Sequence, residues 1–103
     1  MLALCVASVS LGADAAAIPR TRNYTVIMEA VSFRPDTLTL RLGDTVTWKN
    51  KDPFPHTAVA VNGAFKSGNI AAGASWKYTV RTKGLFPYLC TLHSTMKAVL
   101  IVQ

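Results

Sequence analysis

Short runs of alternating apolar and polar residues, broken every ten residues or so by Gly, Pro, Asn or Asp, constrain this chain most. Successive side chains of a strand face opposite ways, so such alternation builds a sheet with one buried face. Residues 36–42 place Leu38, Leu40 and Leu42 on one side. After a turn at Gly43-Asp44, residues 45–50 place Val46 and Trp48 together. Residues 24–33, 56–61, 76–80, 85–90 and 97–103 also have strand composition. Between them lie a proline-broken loop (51–55), an Asn62-Gly63 turn, a loop-like stretch (65–75) and Lys83-Gly84. No long helical period appears. The expected fold is all-β, an antiparallel Greek-key sandwich or barrel. Its expected core is Phe33, Leu38, Leu40, Trp48, Val59, Phe65, Trp76, Tyr78, Phe86, Val99 and Ile101. Met28 alternates with Val26 and belongs with the core, and Tyr88 is read as structural.

A chain of 103 residues makes one domain the natural expectation. Residues 1–17, MLALCVASVSLGADAAA, are apolar and small and end in Ala-x-Ala-like triplets, which describes a cleaved secretory signal. A membrane anchor is the rival reading. A spanning helix needs about 20 apolar residues, and Ser8, Ser10, Gly12 and Asp14 interrupt this run. Cleavage leaves residues 18–103 as the domain, exported to the periplasm, with no integral membrane segment.

Residues 18–103 carry 11 basic and 4 acidic side chains, a net charge of +7. The basic residues are scattered singly and form no nucleic-acid motif. A basic surface can mean nucleic acid, an anionic membrane or an acidic protein partner; without such a motif, a solvated surface that happens to be basic is the better reading than a nucleic-acid site.

Of the two cysteines, Cys5 lies in the signal, so the domain holds one thiol, Cys90. A lone thiol in an oxidising compartment is a liability unless something occupies it, although a buried, inert cysteine is also common. In the stretch YLCTLHSTMK, Cys90, His93 and Met96 are spaced three apart. Residues three apart in one strand face opposite sides, so a loop between the strand ending at Cys90 and one starting near Lys97 is expected to wrap around a point. The other histidine, His56, opens a strand directly after the proline-rich loop, and a sandwich can place it beside that point. One thiolate, two imidazoles and one thioether form a soft-to-borderline donor set. A His2Cys plane with a long axial Met is the arrangement of an electron-transferring copper. Zinc can occupy such a set, but structural zinc usually takes four Cys or His ligands.

GDTVTWKNKDPFPHTA (43–58) and GLFPYLCTLHSTMKAVLIV (84–102) resemble the Gly-Asp-x-Val-x-Trp-x-Asn segment and the ligand-loop hairpin of the cupredoxins. The likeness covers nearly all of residues 18–103. The short His93–Met96 gap resembles amicyanin more than plastocyanin or pseudoazurin. The resemblance implies His56, Cys90, His93 and Met96 as ligands of one mononuclear copper cycling between Cu(I) and Cu(II). It further implies that Pro55, Thr57 and Thr91 support the site. Many members carry Asn where Thr57 stands, bracing the ligand loop, and the Thr57 hydroxyl is expected to reach Thr91 instead. Amicyanin has proline where Leu92 stands, so here an additional backbone N–H is expected near the thiolate.

The same resemblance implies a monomeric, periplasmic electron carrier. Pro53, Phe54, Leu92 and the edge of His93 would form an apolar docking patch for an acidic redox partner, such as a cytochrome, a copper nitrite reductase or an amine dehydrogenase. Neither a carboxylate dyad nor a nucleophile–base set points to an enzyme. The alternatives are a copper carrier or resistance protein that hands over metal, and a metal-free scaffold.

Overall fold

The computed structural model describes residues 20–103. The expected signal segment lies outside the described residues. Eight strands follow in chain order: β1 (Asn23–Met28), β2 (Phe33–Arg34), β3 (Thr37–Leu40), β4 (Thr45–Asn50), β5 (Val59–Ala60), β6 (Ser75–Thr79), β7 (Gly84–Cys90) and β8 (His93–Val102). There is no helix among the described residues. The strands form two sheets, ordered β2-β1-β4-β6 and β3-β8-β7-β5. This is the all-β, two-sheet architecture expected, with one addition. Two of the pairings, β1 with β4 and β3 with β8, are parallel. Parallel neighbours need a crossover, and β3, lying in the opposite sheet, supplies the one between β1 and β4.

The strand expected over 24–33 is two strands. β1 stops at Met28, residues 29–32 turn, and β2 folds back on β1 with Ile27 opposite Arg34. Ala30 and Val31 both hold φ of 54° in this turn, a conformation that β-branched residues rarely adopt. No Gly, Pro or Asn marks the break, so composition alone cannot locate it. The strand expected over 56–61 shrinks to Val59–Ala60. His56 instead forms an isolated bridge with Ile70, donating its N–H to the Ile70 carbonyl at 3.1 Å and accepting from the Ile70 N–H at 2.7 Å.

The interior is filled by Val26, Met28, Val46, Trp48, Phe65, Tyr88, Leu100 and their neighbours. Trp48 is its hub, with ring centroids 5.4 Å from Phe65, 5.4 Å from Trp76 and 5.5 Å from Tyr88. Such aromatic pairs contribute about 0.5–1.5 kcal/mol each beyond area burial. Tyr88 is buried as expected, but Val59, Val99 and Ile101 are not core residues. They are half-buried on the outer face of the second sheet. Leu100 and Val102 point inward in their place. The run AVLIV is apolar at every position, so its inward parity cannot be read from hydropathy. Leu38, Trp76 and Tyr78 pack against the core from partly buried positions.

The sandwich has two poles. At one, β1 and β4 begin and β8 ends, with Asn23 beside Thr45. Asp44 is buried there and accepts hydrogen bonds from the backbone N–H of Arg22 (2.8 Å) and of Arg41 (2.9 Å). Gly43, with φ of 91°, makes the preceding turn, and a Cβ there would sit 3.1 Å from Thr21 Cγ2. At the other pole β4 and β7 end and β8 begins.

Candidate metal centre

The second pole gathers the chemistry. Cys90 closes β7 and His93 opens β8, paired across a two-residue turn with a register irregularity at Leu89/Cys90. The sequence expectation of a loop running to Lys97 is therefore corrected. His93 and Met96 lie on β8 itself, and the irregularity releases Cys90 and His93 from simple strand parity. His56 arrives from the first half of the chain, its backbone fixed by Ile70.

His56, Cys90 and His93 bring one donor atom each to within 4.8 Å of one another. Both histidines present Nδ1 to the sulfur, at 3.8 Å for His56 and 3.7 Å for His93. Their rings stand 5.0 Å apart at 67°. Met96 is buried, 1 % exposed, three residues along β8. Phe54 lies against both imidazoles, at 5.3 Å from His56 and 5.4 Å from His93. His56 is fully buried, whereas His93 is half-buried, and Pro53, Phe54, Pro55 and Leu92 are exposed. Thus Pro55 borders the surface and makes no hydrogen bond to the cluster among the described residues, while Thr57 bonds to it directly and Thr91 reaches it through Thr57.

Thr57 is buried and acts twice. Its backbone N–H donates to Cys90 Sγ at 3.3 Å. Its hydroxyl lies 2.9 Å from the Thr91 hydroxyl and accepts from the Thr91 N–H at 2.8 Å. Strand β7 and the segment after His56 are therefore braced by two threonines. Burial pushes the Cys90 thiol up, but hydrogen bonds from Thr57 N–H, His93 and Leu92 N–H outweigh it and bring the thiol down to about 6. A thiolate is thus the resting form near neutral pH, which is the form that ligates metals.

Asp52, which the sequence reading did not single out, completes the site from behind. It is buried, and its carboxylate accepts from Ala30 N–H at 2.8 Å and Val31 N–H at 3.0 Å. It also lies 2.7 Å from His56 Nε2. With Nε2–H donated to the carboxylate, Nδ1 is left bare toward Cys90. Burial raises the Asp52 carboxyl, and its bonds to His56, Val31 and Ala30 override this and hold it below the usual range. Asn50 fixes the loop carrying Asp52: its amide donates to the carbonyls of Phe54 and Ile70, and its carbonyl accepts from Asp52 N–H. The available signal was spacing alone. An acidic residue four positions before a ligand histidine can reach the far ring nitrogen.

These donors fit copper. A thiolate and two imidazole Nδ1 atoms converge, and the one carboxylate nearby faces the far side of His56. That set suits a borderline-to-soft ion and does not suit a hard cation, which takes oxygen ligands.

A family model, the cupredoxin-like domain, matches residues 1–102. The plastocyanin of Scenedesmus fuscus is 32% identical over 87 residues, covering 72% of this chain and 89% of the plastocyanin. An oxidised methionine-to-leucine variant of amicyanin superposes with a TM-score of 0.73 at 25% identity, covering 78% of this chain and 81% of that one. A copper-containing nitrite reductase from Thermus scotoductus superposes with a TM-score of 0.74 at 28% identity, covering 79% of this chain but 22% of the reductase. The chain belongs to the cupredoxin-like family.

Proposed function

With that membership as the premise, we propose that this chain is an exported, periplasmic type 1 copper protein that carries single electrons between redox partners. The observation that carries the reading is the meeting of His56, Cys90 and His93 donor atoms within 4.8 Å at one pole. In this reading His56, Cys90 and His93 would hold the metal, with the Met96 thioether as a fourth, weaker donor. Copper bound there supplies a one-electron Cu(II)/Cu(I) couple at a site of mixed soft and borderline ligands.

The remaining work belongs to the chain. Thr57 and Leu92 N–H groups stabilise the thiolate charge. Asp52 fixes the ring and tautomer of His56. The Thr57–Thr91 brace and the Ile70 bridge hold the donors at one spacing, which keeps rearrangement on electron transfer small. Phe54 closes water out from above the two histidines. His93 offers its edge at the surface, ringed by Pro53, Phe54, Pro55 and Leu92, a patch suited to brief apolar docking. The net positive charge steers an acidic partner, such as a cytochrome or a copper or quinone enzyme. Both histidines being committed to the metal, the chain is an electron carrier and not an enzyme.

The test is one equivalent of Cu(II) added to metal-free protein, followed by visible absorption and EPR. An intense blue thiolate-to-copper band with narrow copper hyperfine splitting is expected, and Met96→Leu should alter that spectrum while leaving the protein folded. A pale product would sink the reading. In partner kinetics, Leu92→Lys should slow transfer with copper still bound; an unchanged rate would remove the docking patch from the account.

A further inference from the structure

The pole opposite the metal centre holds a groove of about 510 Å³ lined by Arg20, Arg22, Arg41, Tyr24 and Thr39, with Asp44 among its lining residues. We infer that this groove is a phosphate-binding site whose ligating groups are the three arginines.

The arginines come from separate parts of the chain, and a built device brings two of them together. Asp44 accepts from the backbone N–H of both Arg22 and Arg41. One buried carboxylate therefore sets two arginine backbones side by side at the groove. Its two oxygens are taken by those N–H groups, so its charge offsets part of the arginines' positive charge without a direct hydrogen bond to a guanidinium. Among the described residues no arginine or lysine forms an ion pair with an acidic side chain. Three arginines thus line one concavity, and none of them forms an ion pair with an acidic side chain among the described residues. Guanidinium pairs its donors with two oxygens of a phosphate at once, which a point charge cannot do. Tyr24, Thr39 and Gln103 also line the groove. The groove is also larger than a lone carboxylate needs, leaving room for a phosphate with its ester substituent.

The other cations differ. Lys49 and Lys77 are exposed on the outer face of the first sheet, beside Ser75 and Thr47. The ligand class is a phosphate group, either in a membrane headgroup or on a soluble ester.

The full chain is titrated with inorganic phosphate while the arginine Nε–H signals are followed by NMR. It is also sedimented with vesicles of mixed phosphatidylglycerol and phosphatidylcholine, with pure phosphatidylcholine vesicles as the baseline. Arg22→Gln/Arg41→Gln is compared with Lys49→Gln/Lys77→Gln, which removes the same charge elsewhere. We expect the arginine pair to weaken binding roughly tenfold or more and the lysine pair to leave it nearly unchanged, with amide spectra showing both variants folded. Binding to the anionic vesicles that depends on the arginine pair assigns the headgroup. Phosphate binding without vesicle binding assigns a soluble ester. Absence of binding in both arms, or equal losses in the two variants, overturns the site.

Discussion

Asp44 and Asp52 stand at opposite ends of β4 and do nearly the same thing. Each is buried, and each accepts two backbone N–H groups, one of them from a residue 22 positions earlier: Arg22 for Asp44 and Ala30 for Asp52. The equal offset follows from the parallel, in-register pairing of β1 with β4, in which Asn23 meets Thr45 and Met28 meets Asn50. The difference lies in a third donor. Asp52 also takes His56 Nε2, whereas Asp44 has no side-chain donor among the described residues. One clamp closes the sheet; the other closes the sheet and aims a ligand. An aspartate that serves backbone alone and one that serves backbone and imidazole look alike in sequence, and only the residue four positions on tells them apart.

Substitutions separate the two roles. Asp52→Ala should have the largest effect, leaving two backbone N–H groups and an imidazole N–H buried without an acceptor. We expect a loss of about 3–5 kcal/mol in urea unfolding of the metal-free chain, together with a changed copper spectrum and potential. Asp44→Ala should cost less, about 2–3 kcal/mol, with the copper spectrum as in the parent. A spectral change of similar size in both variants would erase the distinction. Thr57→Ala removes the acceptor for Thr91 N–H but keeps the bond from residue 57 to the sulfur, so a loss of about 1 kcal/mol is expected, with little change in the blue band.

The smallest effect is a pH dependence confined to the metal pole. Cys90 in the folded, metal-free chain titrates at about 6, against about 8.5 for an ordinary thiol. Folding therefore favours the thiolate. The resulting stabilisation is full above about 8.5, declines as pH falls, and is lost once pH passes below the folded value. Unfolding midpoints compared at high and low pH should show it, and Cys90→Ala should flatten that part of the curve. If Cys90→Ala retains the full slope, the thiolate is not its source.

Much of this molecule was legible in the chain. Alternation at Val46 and Trp48 gave β4, and Gly43-Asp44 gave its turn, because period-2 burial and turn chemistry are local. The donors were legible because His56, Cys90, His93 and Met96 have few competing uses together. What stayed hidden depends on long-range partners. The left-handed Ala30-Val31 turn is held from outside, by Asp52, so nothing in its own residues announces it. The inward parity of β8 is set by the sheet opposite. The choice of Leu100 and Val102 over Val99 and Ile101 therefore leaves no trace in an all-apolar run. Likewise Asp44 and Asp52 read as ordinary polar loop residues until the strands align.

The register of β1 on β4 has one more consequence. A clamp at each end makes the six-residue span of β4 a fixed spacer, about 20 Å at strand rise. A phosphate seated among the arginines would therefore lie about 20 Å from the histidine pole, where a unit charge acts with less than about 1 kcal/mol at the effective dielectric of a protein. The reduction potential would then shift only modestly when the far end is filled, so the two poles work nearly independently.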